Sequence, residues 1–288
     1  MSKPKTYLKK LATKFPGKRA FITGAGSGLG FAFAMELASD NWDIALADVN
    51  ECRLNKAVEA VVLAGGRATA YSFDVSNYDL FAEAVHNFQS KMGGIDIGIN
   101  NAGIGCGGYL HEMEISTFRK VLEVNLMGVV NGCHLFVPIM KSQRSGHILN
   151  VASAAAFVTA PRMSAYNTSK AGVVALSETL RAELYDDNIG VSVLMPTYVR
   201  TNIGNDALGS PEDNKLAQLF VNASKLTAEA VSAATLRKIS ENELYVVMPY
   251  EAVSLWRFKR HMPDVFWRFI NKAAQKRSAD MLKRSVDE

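Results

Sequence analysis

The chain has 288 residues, of which 48% are hydrophobic and 21% are charged, with 8 Pro and 21 Gly. This composition is typical of a globular α/β protein, and it excludes a disordered, collagen-like or coiled-coil chain. The formal charge of +4 is unevenly distributed, because residues 1–19 hold seven bases and no acid, residues 251–288 hold nine bases and five acids, and the stretch between them holds 16 bases and 23 acids.

The cysteines and the N-terminus bear on location. Cys52, Cys106 and Cys133 are widely spaced and form no C-x-x-C pair. They favour neither a disulfide framework nor a zinc site, so we expect no metal and a reducing, cytoplasmic compartment. Lysines interrupt the apolar residues of the N-terminus, which therefore lacks the apolar core of a secretory signal.

Short apolar runs alternate along the chain with longer amphipathic ones. The apolar runs predict seven strands, at Arg19–Thr23, Asp43–Asp48, Ala68–Asp74, Ile95–Asn100, Gly146–Ala152, Ile189–Pro196 and Leu244–Met248. The amphipathic runs predict helices at Leu29–Ser39, Cys52–Ala64, Tyr78–Met92, Ser116–Met140, Ser164–Tyr185 and Ala228–Ile239. Continuous apolar strands linked by helices predict a doubly wound, Rossmann-type parallel sheet of seven strands with helices on both faces.

We predict three segments: a basic N-terminal extension at 1–16, a dinucleotide-binding catalytic domain at 17–250, and a basic, helical C-terminal extension at 251–288. The stretch from Val121 to Met140 is apolar but contains Glu123, Asn125, Asn131 and His134. A bilayer would penalise these polar groups, so we expect a buried helix and no transmembrane span.

A glycine-rich turn follows the first predicted strand, in the sequence Thr23-Gly24-Ala25-Gly26-Ser27-Gly28-Leu29-Gly30. Gly24, Gly28 and Gly30 permit a tight turn, close approach of the backbone to a pyrophosphate, and close packing of helix on strand. The next helix offers its N-terminal N–H groups to the phosphates. A glycine-rich turn alone is weak evidence, but its place between a strand and a helix indicates a dinucleotide site.

Asp48 ends the second predicted strand, where a carboxylate can accept hydrogen bonds from an adenosine ribose and repel a 2′-phosphate. Ser27 in the turn supplies no cation for that phosphate. We therefore expect NAD rather than NADP. The alternative is that Asp48 only caps the next helix, for which Asn50 is an equal candidate.

Four polar residues further along the chain form a candidate catalytic set. Tyr166 and Lys170 stand four residues apart on one face of a predicted helix. A neighbouring ammonium favours the phenolate and lowers the pKa of a tyrosine. Ser153 ends the fifth strand, and Asn125 lies in an apolar stretch where a buried amide needs partners. A Tyr-x-x-x-Lys pair alone is usually helix surface; the conjunction of all four residues indicates catalysis.

These residues together resemble the short-chain dehydrogenase/reductase family, in its compact single-domain branch, over about residues 16–250. The resemblance is carried by Thr23–Gly30, Asp48, Asp74-Val75, Asn100-Asn101-Ala102-Gly103, Asn125, Ser153, Tyr166, Lys170 and the segment from Pro196 to Thr201. It implies a homodimer or homotetramer, with helices 116–140 and 164–187 as the expected contacts.

The resemblance also assigns roles. Tyr166 would be the general acid/base, Ser153 would orient the substrate oxygen, Lys170 would bind the nicotinamide ribose and lower the pKa of Tyr166, and Asn125 would hold a water in a proton relay. The cofactor-binding residues would be Gly24, Ser27, Gly28, Leu29, Gly30, Asp48, Asp74, Val75, Asn101, Ala102, Gly103, Tyr166, Lys170, Pro196 and Thr201. Asp74 and Val75 would flank the adenine.

The sequence departs from the family at Thr197, where the family usually has glycine after the proline that ends the sixth strand. A β-branched residue disfavours a positive φ, so we expect a different turn beside the nicotinamide. The same turn leads to Thr201, so the change also affects the residue that would touch the nicotinamide carboxamide.

The expected function is reversible, NAD-dependent hydride transfer between an alcohol and its aldehyde or ketone. The alternatives are a non-catalytic dinucleotide-binding regulatory or scaffold protein, and an NADPH-dependent 3-oxoacyl reductase. The segment Tyr198–Ser224 is predicted as a long loop that serves as a substrate lid. Together with Ile104–Tyr109, Ala154–Val158 and Met163 it is mostly apolar, which favours a hydrophobic substrate. The same residues could instead pack a subunit interface or the core.

The two basic ends are studded with apolar side chains. Pro263 divides the C-terminal segment into two short amphipathic helices, and one face of the second is predicted to hold Val265, Phe266, Phe269, Ile270, Ala273 and Ala274. Three interpretations remain open: docking onto the body or a sister subunit, peripheral contact of 251–288 with an anionic membrane, and nucleic-acid binding. The last lacks any recognition motif, so we expect no nucleic-acid partner.

Overall fold

A computed structural model describes residues 5–201, 203, 207–270 and 272 of the protein. Its strands are β1 Arg19–Thr23, β2 Asp43–Asp48, β3 Arg67–Ser72, β4 Ile97–Asn100, β5 Cys106–Gly107, β6 Gly146–Val151, β7 Ile189–Pro196, β8 Leu208–Gly209 and β9 Tyr245–Met248. Its α-helices are α1 Thr6–Lys14, α2 Gly28–Ala38, α3 Glu51–Leu63, α4 Tyr78–Met92, α5 Ile115–Leu122, α6 Gly128–Gln143, α7 Ala155–Val158, α8 Ser164–Glu183, α9 Pro211–Ala223, α10 Ala228–Ser240 and α11 Tyr250–His261.

Seven strands form one parallel sheet in the order β3-β2-β1-β4-β6-β7-β9. This confirms the predicted seven-stranded, doubly wound fold. The chain reverses its direction of travel across the sheet between β1 and β4, and such a switch point opens a crevice at the carboxyl ends of the strands. The short strands β5 and β8 pair separately, beyond the end of β4.

The sheet is buried between two helical layers. On one face, α1, α2, α3 and α10 contribute the buried side chains that pack against β1 and β2. On the other face, α4, α6, α8 and α11 pack around aromatic residues that include Phe21 and Phe136. Burial on both faces explains why the strands are continuous apolar runs in the sequence.

The N-terminal segment docks on the body of the protein. Leu8, Leu11 and Phe15 are fully buried in the first core, where α1 packs against α10. Lys5 forms an ion pair with Glu36 on α2. Of the interpretations considered for this end, docking on the body is therefore the one that the structure supports.

The long apolar stretch forms a helical run from Ile115 to Gln143, which by length and composition alone could cross a membrane. Half of its most apolar window is buried inside the fold, as in a core helix. The prediction of a single α-helix at Ser116–Met140 is wrong in detail, because a π-helical turn at Glu123–Met127 separates α5 from α6. Asn131 is buried in the run and donates to the backbone oxygen of Val75.

The segment Tyr198–Ser224 is not the loop that we predicted. Its described residues contain β8, which pairs with β5, and the thirteen-residue helix α9. The side chain of Ser210 caps α9, and Pro211 stands at its first position, where a missing N–H is tolerated. The C-terminal segment forms α11 and, after a break at Met262, a second helix over 263–270.

Candidate active site

The glycine turn lies between β1 and α2 at the switch point. Gly24 and Gly28 have φ values of +63° and +57°, in the left-handed region that favours glycine. A Cβ on Gly30 would lie 2.2 Å from the carbonyl oxygen of Gly24, so only glycine lets α2 pack this close to the turn. Ser27 precedes the helix in an extended conformation, and Leu29 packs against the first core.

The turn is held by the loop that follows β4. The Thr23 hydroxyl accepts hydrogen bonds from the backbone N–H groups of Asn101, at 3.0 Å, and Ala102, at 3.1 Å. The Asn101 side-chain amide donates to the carbonyl oxygens of Thr23 and Gly24 at 3.0 and 3.1 Å. Asn101 therefore shapes the glycine turn through its side chain. This role of Thr23 was not predicted, although a hydroxyl at the end of an otherwise apolar strand was a signal available in the sequence.

Asp48 ends β2 beside the glycine turn. One carboxylate oxygen accepts from the backbone N–H of Gly26 and the other from that of Asn50, both at 2.9 Å. The side chain of Asn50, not that of Asp48, caps α3 by accepting from the N–H of Arg53. The alternative in which Asp48 serves only as the helix cap is therefore wrong, and its carboxylate is fixed at the switch-point edge.

Asp74 and Val75 lie just beyond β3 on the same edge. Burial raises the pKa of Asp74, but hydrogen bonds from Lys120 and Ser76 outweigh it and hold the pKa below its usual value. Val75 is buried against Gly128, where a Cβ would lie 2.6 Å from a Val75 methyl group. These contacts place both residues along the edge that carries Asp48.

The segment after β7 closes the other side of the crevice. The carbonyl oxygen of Pro196 accepts from the N–H of Ala154, which ties the ends of β6 and β7 together. Thr197 does not adopt a positive φ, so a β-branched residue is accommodated there without strain. Thr201 contacts the glycine turn, because its Cβ lies 3.2 Å from the position of a Cβ on Gly28.

Asn125 lies in the π-helical turn and is fully buried. Its side-chain oxygen accepts from the N–H of Ile104 at 2.7 Å, and its amide donates to the carbonyl oxygen of the same residue at 2.9 Å. The amide also lies 3.3 Å from the hydroxyl of Ser169 on α8. Such π turns are frequent at functional sites. This one connects α5 and α6, and through Asn125 it contacts the loop after β4 and helix α8.

Tyr166, Ser153 and Lys170 meet where β6 and β7 end. A hydrogen bond from Ser153 lowers the pKa of Tyr166, but burial outweighs it and raises that pKa to about 12. Lys170 is buried, its Nζ lies 5.7 Å from the centre of the Tyr166 ring, and it donates to the carbonyl oxygen of Val151 at 2.9 Å. Burial lowers the pKa of Lys170 from 10.5 to about 8. In this chain alone, the expected lowering of the Tyr166 pKa by Lys170 is therefore not found.

Gly103 lies between the glycine turn and the candidate catalytic residues. A Cβ on Gly103 would lie 3.1 Å from the side-chain oxygen of Asn125 and 3.4 Å from Nζ of Lys170. The glycine turn, Asp48 and the four candidate catalytic residues thus line one continuous edge of the sheet. A glycine-rich turn, a helix N-terminus and a carboxylate at the end of β2 fit the pyrophosphate and ribose of a dinucleotide.

The comparisons with known proteins agree with this geometry. A family model described as short chain dehydrogenase matches residues 18–210. The chain belongs to the short-chain dehydrogenase/reductase family. A crystal structure of a family member from Burkholderia phymatum in complex with NAD has a TM-score of 0.83 and 33% identity, and the match covers 88% of this chain and 96% of that one.

Curated relatives in the family carry several names. The "Probable oxidoreductase EphD" of Mycobacterium tuberculosis is 35% identical over 261 residues, which cover 84% of this chain but 43% of that protein, so the chain spans less than half of its length. The "Ketoacyl reductase HetN" of a Nostoc species is 33% identical over 230 residues, which cover 80% of this chain and 79% of the relative.

Proposed function

We propose that the protein is an NAD-dependent oxidoreductase that interconverts a hydrophobic alcohol and its aldehyde or ketone. The observation that carries the proposal is the meeting of Ser153, Tyr166, Lys170 and Asn125 at one edge of the sheet, beside the glycine turn. A binding or scaffold protein has no need for a buried acid/base pair with an oriented hydroxyl. The turnover hypothesis accounts for all four residues.

The cofactor, when bound, supplies the hydride acceptor or donor. The chain handles the proton. Tyr166 exchanges a proton with the substrate oxygen, and Ser153 holds that oxygen beside the tyrosine hydroxyl. Burial keeps the proton on Tyr166 in the chain alone, so deprotonation of this residue requires nearby positive charge. Lys170 supplies part of that charge, because a pKa of about 8 leaves its ammonium mostly protonated at neutral pH.

Asn125 supports the same chemistry from the other side of Lys170. Its amide is fixed by two hydrogen bonds to the Ile104 backbone and cannot rotate freely. We place it as the group that keeps the loop after β4 against the Lys170 ammonium and holds a water for proton exchange with solvent. Gly103 separates the two side chains, because a Cβ there would lie 3.1 Å from the Asn125 oxygen and 3.4 Å from Nζ of Lys170.

The preference for NAD rests on Asp48. Hydrogen bonds from two backbone N–H groups fix its carboxylate beside the glycine turn. A 2′-phosphate brought to this edge would meet a negative charge that cannot turn away, whereas two ribose hydroxyls would donate to it. The same observation disfavours the NADPH-dependent 3-oxoacyl reductase alternative.

The preference for a hydrophobic substrate rests on the side chains near Tyr166. Tyr166 packs against a buried apolar cluster of Cys106, Val121 and Ala165, and the same cluster is covered by Met113, Phe118 and Leu208. The guanidinium of Arg162 is neutralised by Asp213 at 2.7 Å. A pocket with these walls offers apolar contact and few anchors for an anionic substrate.

The test is an NADH-fluorescence screen of alcohols and ketones graded by chain length and ring content, run with NAD and with NADP. We expect turnover to rise with substrate hydrophobicity and to require NAD. Tyr166→Phe should abolish turnover and leave NADH binding intact, whereas Tyr185→Phe, at an exposed tyrosine, should change neither. Undiminished turnover in Tyr166→Phe would refute the mechanism. Dinucleotide binding with no turnover on any substrate would favour the scaffold alternative, and turnover with NADPH alone would favour the reductase one.

A further inference from the structure

The helix over 263–270 presents an outward apolar stripe. Val265 and Phe269 lie about one helical turn apart on the same side of the helix, and Met262 immediately precedes its first residue. Their exposed fractions are 50%, 47% and 54%, which is high for large apolar side chains. We call these three residues the C-terminal stripe.

The neighbouring side of the same helix is anchored to the protein. Phe266 is completely buried and Ile270 is 9% exposed. The ring of Phe266 packs edge-on against Phe258 of α11, with 5.8 Å between ring centres. The helix therefore has a buried face that fixes it, and the C-terminal stripe is an additional apolar face that the body does not bury.

Positive charge accompanies the stripe. Between residues 251 and 272 there are five bases and two acids. Arg268 and Lys272 are exposed on the helix that carries the stripe. On α11, Arg260 lies over the ring of Trp256, 4.9 Å from its centre, an arrangement that stacks a cation on an amphipathic aromatic side chain.

We propose that the C-terminal stripe and its flanking bases dock the protein on an anionic lipid bilayer. Apolar side chains that stand beside Lys and Arg on a short amphipathic helix match the interface of such a membrane, where the apolar groups enter the acyl boundary and the cations meet the headgroups. The acidic character of residues 20–250 keeps this attraction local to the stripe and orients the molecule on the surface.

Docking there would bring the substrate side of the protein toward the membrane. Helix α11 packs against α7, the short helix that directly follows Ser153. A hydrophobic substrate dissolved in the bilayer would then have a short path to the site. This last step rests on the proposed function, whereas the docking itself does not, because it is tested by binding alone.

The experiment is co-sedimentation of the full chain with vesicles of phosphatidylcholine, with and without phosphatidylglycerol, at low and high salt. We expect binding to the anionic vesicles that weakens with salt and is absent on neutral ones. Arg268→Glu with Lys272→Glu should weaken it at least about 30-fold, since each base near an anionic surface contributes roughly a factor of five to ten. The matched control is Lys56→Glu with Lys91→Glu, at exposed lysines of α3 and α4, which should retain binding.

A second pair of variants tests the stripe itself. Val265→Ser with Phe269→Ser should also abolish sedimentation, whereas Val62→Ser with Leu63→Ser, at exposed apolar residues of α3, should not. Circular dichroism and light scattering on each variant check folding and subunit number. The proposal is overturned if the wild-type chain stays in the supernatant with anionic vesicles. It is also overturned if the stripe variants bind anionic vesicles as well as the wild-type chain does. A third contrary result is that the wild-type chain binds no vesicle and the stripe substitutions only dissociate an oligomer of the protein.

Discussion

The buried ammonium of Lys170 should reduce the stability of the protein at neutral pH. Burial lowers its pKa from 10.5 to about 8, so the folded chain holds this proton less tightly than the unfolded chain does. A shift of this size corresponds to about 3 kcal/mol of lost stability at pH 7. Lys170→Met keeps the aliphatic chain and removes the charge.

Two effects of the substitution oppose each other at pH 7. Removing the buried charge stabilises the fold, while the loss of the 2.9 Å hydrogen bond leaves the carbonyl oxygen of Val151 unpaired, at about 1–3 kcal/mol. The net effect at a single pH is small, but its pH dependence is not. As the pH rises from 7 to 9 the unfolded chain binds more protons than the folded one, so the wild-type protein gains about 1 kcal/mol of stability relative to the variant.

The assay is urea unfolding of the wild-type chain and Lys170→Met at pH 7 and pH 9, at one protein concentration and without cofactor. We expect the difference in unfolding free energy between the two proteins to shift by about 1 kcal/mol in favour of the wild type. Lys56→Met, at an exposed lysine of α3, should give the same difference at both values. A difference for Lys170→Met that does not change with pH would refute the buried-ammonium argument. The variant should also lose turnover in the NADH assay.

Three further predictions concern other parts of the fold. The pKa of His147 lies well below its usual value because the ring is buried. Below pH 6.5 only the unfolded chain takes up this proton, so the stability of the fold decreases by up to about 1.4 kcal/mol for each unit by which the pH is lowered. His147→Asn should therefore make the free energy of urea unfolding less sensitive to pH between 6.5 and 5. A Cβ at Gly26 would lie 2.9 Å from the Asp48 carboxylate, so Gly26→Ala should raise the Kd for NADH at least about tenfold, and adding Asp48→Ala should change it little further. Arg162→Met and Asp213→Asn each break the ion pair that holds α9; each should raise the substrate KM by about fivefold in steady-state assays, and the double variant no more than either alone.

The strands could be predicted because each is buried on both faces, but their ends could not. The predicted third strand extends through Phe73, which is buried in the second core beyond the last paired residue of β3. The predicted fourth strand begins at Ile95, which is also buried, yet its backbone bonds to the side chain of Gln143 rather than to a neighbouring strand. In both cases burial extends further than pairing, and a hydropathy pattern reports burial only.

The helix α9 was missed for a different reason. The segment contains Gly204, Gly209 and Pro211, which we interpreted as loop residues. The same sequence holds a helix start, with Ser210 as the cap, Pro211 at the first position and acidic residues in the first turn. The signal was present in the residues themselves, and the expectation of a loop after the sixth strand outweighed it.

The sequence predicted which candidate residues come together at one edge of the sheet, but not the contacts that each of them makes. Spacing places Lys170 on the same helical face as Tyr166, and from that proximity we expected a lowered tyrosine pKa. The pKa of Tyr166 depends instead on burial, which also lowers the pKa of Lys170. In addition, the lysine donates its hydrogen bond to the carbonyl oxygen of Val151. Burial is a property of the packed molecule, so local spacing cannot supply it.

Gly103 explains why the two halves of the site are inseparable. The π-helical turn brings the Asn125 amide to the loop after β4 from one side, and α8 brings the Lys170 ammonium from the other. Both arrive within 3.4 Å of the point that a Cβ on Gly103 would occupy. Even the Cβ of an alanine there would press on the Asn125 oxygen at 3.1 Å, and both Asn125 and Lys170 are buried and held by hydrogen bonds. The loop after β4, which holds the glycine turn, is therefore also the surface on which Asn125 and Lys170 meet, so a change at this glycine acts on both.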